Sequence, residues 1–261
     1  MVTDNRGGRR MRNDSPKLDG KTALITGAAR RIGAVIARRL HAEGMNIVLH
    51  YRKSEQDARA LCDELNAVRR DSAVTAQAEL ANVADFDSLV KAALQWGRLD
   101  LLVNNASSFY PTPLGKVGES DWDELMTSNL KAPFFLSQAA AAPLRKSRGV
   151  IINMVDIHGR RPLREHTVYS TAKAGLVMLT LSLARELGPE VRVNGVAPGP
   201  ILWPERGLDE ATRRSILDKT ALKRAGSPED VAGAVVYLVR DADYVTGQIL
   251  AVDGGRSIGW Q

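Results

Sequence analysis

The sequence predicts a doubly wound α/β domain, in which one parallel sheet carries helices on both faces. Two observations support this. Short apolar runs alternate with helix-length segments from "KTALIT" to "GQILAVDGG", the order expected of consecutive βαβ units. The runs themselves, such as "LDLLV" and "GVIINMV", are apolar at nearly every position, as strands covered on both sides must be. Right-handed crossovers then place a ligand crevice outside the carboxyl ends of the strands.

In chain order, "KTALIT" reads as the first strand, followed by a glycine-bearing turn and an amphipathic helix from about Ile32 to Glu43. "NIVLHY" is the second strand, and a charged helix runs from Ser54 to Arg69. "AVTAQA", a helix across "DFDSLVKAALQWG", and "LDLLVNNA" continue the alternation. After a loop with Pro111 and Pro113 come "SDWDELMTSNL" and the Ala-rich "APFFLSQAAAAPL". "GVIINMV", a long helix from about Thr167 to Leu187, "VRVNGVAP", a helix from Pro228 and the final strand complete the series. Residues 199–227 interrupt the rhythm. Long insertions in compact domains are commonly functional, and this one leaves the carboxyl end of a strand, so it reads as a substrate lid. Residues 1–18 read as a disordered basic tail and residues 19–261 as a single domain.

Bulk properties narrow the function. The chain has 261 residues and a formal charge of +6. Apart from the tail and short clusters such as "RRIGAVIARRL", its cations are dispersed, with no nucleic-acid recognition module. A solvated basic surface that attracts anionic small molecules is therefore expected, and nucleic-acid binding is not. No apolar run approaches the ~20 residues that cross a bilayer. One cysteine, Cys62, allows no internal disulfide and suits a reducing cytoplasm. The histidines, His41, His50, His158 and His166, lack metal-binding spacing, so no metal is expected.

"TGAARRIG" follows the first strand and opens the first helix, the context of a phosphate-binding turn at a helix N-terminus. At the end of the second strand stands "HYRKS". An acid there would accept from a ribose 2′-hydroxyl; Arg52, Lys53 and Ser54 instead suit a 2′-phosphate. NADP(H) is the expected cofactor, the alternative being a solvated basic turn.

Tyr169 and Lys173 lie one helical turn apart, so both side chains can face one cleft. Free tyrosine is a reluctant acid, and a nearby ammonium would draw its pKa toward the working range. Thirteen residues before Tyr169 stands Asp156, where a serine would be usual; an ionised carboxylate there would disfavour phenolate and hold the phenol in its proton-donating form.

The glycine turn, "NNA" after the fourth strand, the Asn of "SNL", YxxxK and the "PG" after the sixth strand together resemble the short-chain dehydrogenase/reductase family over about residues 20–255. The resemblance implies a single-domain Rossmann fold, hydride transfer from a nicotinamide and a homotetramer. It implies Tyr169 as proton donor, Lys173 on the nicotinamide ribose and Asn129 holding a relay water. The cofactor-binding set it implies comprises Gly27, Arg31, Ile32 and Gly33 in the turn and Tyr51, Arg52, Lys53 and Ser54 after the second strand. Glu79 and Leu80 follow the third strand, and Asn105, Ala106 and Ser107 the fourth. Tyr169, Lys173, Pro198 and Gly199 complete the set.

Three departures are similar to the pteridine reductase group. Arg31 replaces the middle glycine of the turn, "NNASSFYPTP" brings Ser107 and Phe109, and Asp156 replaces the serine. This resemblance implies a pterin or folate substrate bound by Arg31, Ser107, Phe109, Asp156 and Tyr169, with Trp203 of the lid as a cover. NADPH-dependent reduction of dihydropterins to tetrahydro forms is the expected reaction. Glu79 departs from the Asp frequent in that group and leaves an adenine contact open. A general carbonyl or 3-oxoacyl thioester reductase and a non-catalytic NADP(H)-binding protein are the alternatives.

Overall fold

The computed structural model describes residues 18–203, 207 and 209–259. The expected tail lies outside these residues except for Leu18, which is fully buried in the core. Leu18, which the charge pattern assigned to the tail, thus belongs to the core.

Seven strands form one parallel sheet in the order β3-β2-β1-β4-β5-β6-β7. They are β1 (Thr22–Ile25), β2 (Asn46–Tyr51), β3 (Ala73–Gln77), β4 (Leu101–Asn104), β5 (Val150–Met154), β6 (Arg192–Pro198) and β7 (Ile249–Val252). The order reverses between β1 and β4, so the crevice opens there. Helices α1 (Arg31–Ala42), α2 (Glu55–Val68) and α8 (Pro228–Arg240) cover one face; α3 (Phe86–Ala93), α5 (Ala132–Ser147) and α6 (Thr167–Leu187) cover the other.

Strand side chains alternate between these two cores. Ala23 and Ile25 pack with Ile36, Leu61 and Val235, whereas Leu24 packs with Leu89, Leu136 and Leu187. This is the period-2 geometry of a strand buried on both sides. Each fully buried leucine or phenylalanine stabilises the fold by roughly 1.5–3 kcal/mol.

Three features depart from the sequence reading. The two segments around residue 130 form nearly one helix, α4 (Glu119–Met126) passing into α5 through a π-turn at Thr127–Lys131. The insertion contains a helix, α7 (Glu210–Asp218), capped by Asp209, whose carboxylate accepts the Thr212 N–H at 2.8 Å. Third, α6 is long and apolar enough to cross a membrane by length and composition. Its Val168, Tyr169, Lys173, Leu176 and Thr180 are nevertheless buried within the domain, and it packs on β6.

Candidate active site

The carboxyl ends of β1 to β5, together with α6, build the site. The turn after β1 needs its glycines: Gly27 holds φ +61°, and a Cβ on Gly33 would come within 2.3 Å of the Gly27 carbonyl oxygen. Arg31 takes φ +53°, a left-handed conformation that costs a non-glycine residue strain and is natural to the glycine it replaces. Thr26 ties the turn to the end of β4: its hydroxyl accepts the N–H groups of Asn105 at 2.9 Å and Ala106 at 3.0 Å. The Asn105 amide donates to the carbonyls of Thr26 at 2.8 Å and Gly27 at 3.1 Å.

A cleft of about 990 Å³ opens beside this turn. It is lined by Gly27, Arg31, Ile32, Gly33, Tyr51, Arg52, Lys53, Ser54, Glu79, Leu80, Asn105, Ala106 and Ser107, which are the expected turn and strand-end residues. Arg30 and His50 are among the lining residues that the sequence reading did not single out. Arg30 donates to the Ser54 hydroxyl at 3.1 Å and pairs with Asp57 at 3.2 Å, joining Arg52 and Lys53 at the cationic end. His50 was set aside with the other histidines but is buried against the turn. Glu79 faces Arg52 at 4.0 Å. At the opposite end Asp123, Glu124, Thr127 and Ser128 close the wall.

Ser107 links this cleft to the tyrosine. Its hydroxyl donates to the Asn129 side-chain oxygen at 2.7 Å, and it also interacts with the Tyr169 hydroxyl. Asn129 is fully buried in the π-turn. Its amide donates to the carbonyls of Ser108 at 3.0 Å and Leu125 at 2.9 Å. Both N–H donors are therefore engaged by protein, and Asn129 anchors the Ser107–Ser108 loop.

The Tyr169 hydroxyl donates to Asp156 at 2.8 Å. The Asp156 carboxylate also accepts the His158 N–H at 2.8 Å, which caps a short 3₁₀ turn at Ile157–Gly159. Burial first, then the Asp156 charge and hydrogen bond, push Tyr169 well above its ordinary pKa. The sequence reading set a downward pull from Lys173 against the Asp156 charge, and the downward pull does not prevail. The physical reason is that Lys173, fully buried, donates to the Met154 carbonyl at 2.8 Å and sits 5.6 Å from the ring centroid. Desolvation pushes Lys173 itself down to about 8, against the upward pull of Asp156.

Phe109 stacks on His166 with centroids 4.7 Å apart and planes 16° from parallel, and meets Tyr169 edge-on at 4.8 Å. A bridge between Thr112 and His166 clips the two loops together. His166 therefore backs the Phe109 ring, a contact that sequence spacing does not reveal. Pro198 and Gly199 end β6 beside β7, where Gly199 donates to the Val252 carbonyl at 3.0 Å. The Arg213 guanidinium lies over Trp203, 5.7 Å from the ring centroid, which ties the start of the insertion to its helix α7. Among the described residues no group of three or more His, Cys, Asp or Glu is placed to hold a metal.

This arrangement pairs a dinucleotide-sized cleft with a tyrosine, a lysine and an aromatic platform. A family model described as enoyl-(acyl carrier protein) reductase matches residues 27–257. The chain belongs to the short-chain dehydrogenase/reductase family. It is similar to pteridine reductase 1 of Leishmania tarentolae, 40% identical over 280 aligned residues that cover 90% of this chain and 96% of that protein. It is also similar to a 3-oxoacyl-[acyl-carrier-protein] reductase of Staphylococcus aureus, 37% identical over 240 residues, with 90% and 97% covered. A 3beta-hydroxysteroid dehydrogenase of Eggerthella lenta is 36% identical over 251 residues, with 92% and 95% covered. As a short-chain dehydrogenase/reductase the chain is an oxidoreductase using a nicotinamide dinucleotide. The three identities lie too close together to choose a substrate.

Proposed function

We propose that this chain is an NADPH-dependent pteridine reductase. It reduces dihydropterins, of the dihydrobiopterin, dihydromonapterin or dihydrofolate type, to tetrahydro forms, with fully oxidised pterins as further substrates. The observation that carries this reading is the Asp156 carboxylate on the Tyr169 hydroxyl at 2.8 Å, beside the exposed ring of Phe109. A carboxylate only accepts hydrogen bonds. Pterins offer ring and amino N–H groups to it, whereas a ketone or thioester carbonyl offers none. A flat heteroaromatic ring also suits the Phe109 platform, whose other face His166 already covers.

The donor set of the cleft fits NADPH. Arg30, Arg52, Lys53 and Ser54 would hold the 2′-phosphate through charge-assisted hydrogen bonds. The N-terminus of α1, with Arg31 and Ile32, would face the diphosphate, and Lys173 would face the nicotinamide ribose. When bound, NADPH supplies the hydride to a carbon of the substrate C=N bond. Tyr169, held protonated by its buried setting and Asp156, delivers its proton to the adjacent ring nitrogen, directly or through water. Asp156 orients the pterin by accepting its N–H groups, and Phe109 fixes the ring plane. Arg31 and Ser107 bind its polar edge, and Trp203 covers it.

The second reading is a 3-oxoacyl thioester reductase, favoured by the description of the matching family model and by the Staphylococcus aureus relative. An assay of NADPH oxidation separates them, using dihydrobiopterin, dihydrofolate, biopterin, a 3-oxoacyl thioester and a quinone. Turnover of the dihydropterins supports the first reading, and turnover of only the last two overturns it.

A homotetramer is part of the proposal. Phe134 on α5 and Met178 and Leu181 on α6 are exposed apolar side chains, and symmetric burial of such a face is the usual outcome. A cytoplasmic setting suits the NADPH requirement and the free thiol of Cys62.

A further inference from the structure

We propose that His50 is a positioning residue for the dinucleotide, bracing the phosphate turn against the adenine side of the cleft. The proposal rests on the cofactor reading above. His50 lies near the carboxyl end of β2, is 2% exposed, and still lines the cleft. Its Nδ1 accepts the Gly27 N–H at 3.1 Å, and its own carbonyl accepts the Ala28 N–H at 2.9 Å. On the other side Nε2 faces the Ala78 carbonyl at 3.2 Å.

The pattern fixes the tautomer. A carbonyl only accepts, so Nε2 must carry the proton and Nδ1 must be the acceptor for Gly27. Burial supports the neutral ring by pushing its pKa down to about 4. One side chain thus joins three neighbouring strands: the turn after β1, β2 itself and the end of β3. Ala78 directly precedes Glu79 and Leu80, which line the cleft, so the brace spans from the turn to that wall.

Gly27 and Ala28 have their N–H groups engaged by His50, so the diphosphate must be met further along, at the start of α1. There the backbone is strained at Arg31. A brace that holds Gly27 from behind fixes the path into that strained residue. An apolar side chain of similar bulk would fill the space but leave the Gly27 N–H and the Ala78 carbonyl buried without partners.

The test is calorimetric titration of NADPH and NADH into the wild type and into His50→Leu, His50→Asn and His50→Gln, with thermal unfolding and kcat at saturating cofactor. Asparagine places an oxygen near the Nδ1 position and keeps the Gly27 bond; glutamine reaches toward the Nε2 position instead. His50→Leu should weaken both cofactors by a similar factor, about tenfold. His50→Asn should stay within about threefold of wild type, and kcat should change less than affinity. Wild-type affinity in His50→Leu, or equal losses in His50→Leu and His50→Asn, overturns the proposal. If His50→Leu does not fold, the remaining pair decides: tighter binding by Asn than by Gln supports it, and the reverse overturns it. A wild type that prefers NADH overturns the NADPH reading alone, because the His50 effect is a ratio measured for either cofactor. A wild type that binds neither overturns both.

Discussion

The Tyr169 hydroxyl donates to the Asp156 carboxylate across 2.8 Å, and the same carboxylate is fixed by the backbone N–H of His158 at 2.8 Å. A nearby negative charge disfavours phenolate, so this pair keeps the phenol protonated in the resting site. The tyrosine is then a stored proton donor, and the carboxylate is positioned to recognise N–H groups.

Replacing the donor should therefore affect chemistry more than binding. Tyr169→Phe should lower kcat by roughly 10²–10⁴-fold, the range for loss of a general acid. NADPH affinity should stay within about threefold, since the aromatic ring remains. Steady-state kinetics beside direct titration of NADPH check both parts.

Lys173 gives a pH dependence with a definite sign. Its pKa in the folded protein, about 8, lies below its ordinary 10.5. Below pH 8 both folded and unfolded chains hold the proton, and its contribution to stability is flat. Between about 8 and 10.5 the unfolded chain binds a proton that the folded chain lacks, so this group makes stability rise with pH across that window. The full difference is about 3 kcal/mol. Function goes the other way: NADPH affinity should fall as pH passes 8 and the ammonium is lost. Titrations between pH 6.5 and 9.5 check this, and Lys173→Met should abolish the step.

Cofactor choice should lie in the cationic end of the cleft. Arg52→Glu should weaken NADPH about 10–100-fold, the value of one or two charge-assisted hydrogen bonds, and leave NADH within about threefold. Arg30→Ala should act in the same direction, because Arg30 already lies against Ser54. The NADPH-to-NADH ratio of Kd in each variant is the readout.

The exposed apolar face should be an interface between copies. Met178→Glu combined with Leu181→Asp should shift the sedimentation of the purified protein from tetramer to a smaller species. Far-ultraviolet circular dichroism should remain unchanged, since both side chains point away from the core.

Much of this fold was legible because its strands are mostly apolar and alternate with helix-length segments. The helix expected from about Thr167 to Leu187 is α6, and Pro228 begins α8 behind the reciprocal Ser227–Asp230 cap. What was missed depended on partners distant in sequence or on polar segments. Helix α7 buries no residue and is mostly polar, so no apolar run announces it. Leu18 follows a charged stretch and gives no local sign that it enters the core. The residues of the site were legible as types and spacings, but their bonding was not. Asn129 has the expected place, yet its amide is engaged by Ser108 and Leu125. Lys173 follows the YxxxK spacing, yet its ammonium is drawn to the Met154 carbonyl. His50 lies near the end of an apolar strand, and only the folded turn reveals what its two nitrogens meet. Arg30 was hidden by its neighbour Arg31 in one run of cations.

The central claim is that Asp156 fits this site to a pterin. Its most direct test compares kcat/KM for dihydrobiopterin and for a 3-oxoacyl thioester in wild type and in Asp156→Ser. The wild type should favour the dihydropterin. The serine variant should lose roughly 10²-fold or more on the dihydropterin while thioester turnover stays equal or rises. Unchanged dihydropterin turnover in Asp156→Ser would contradict the account.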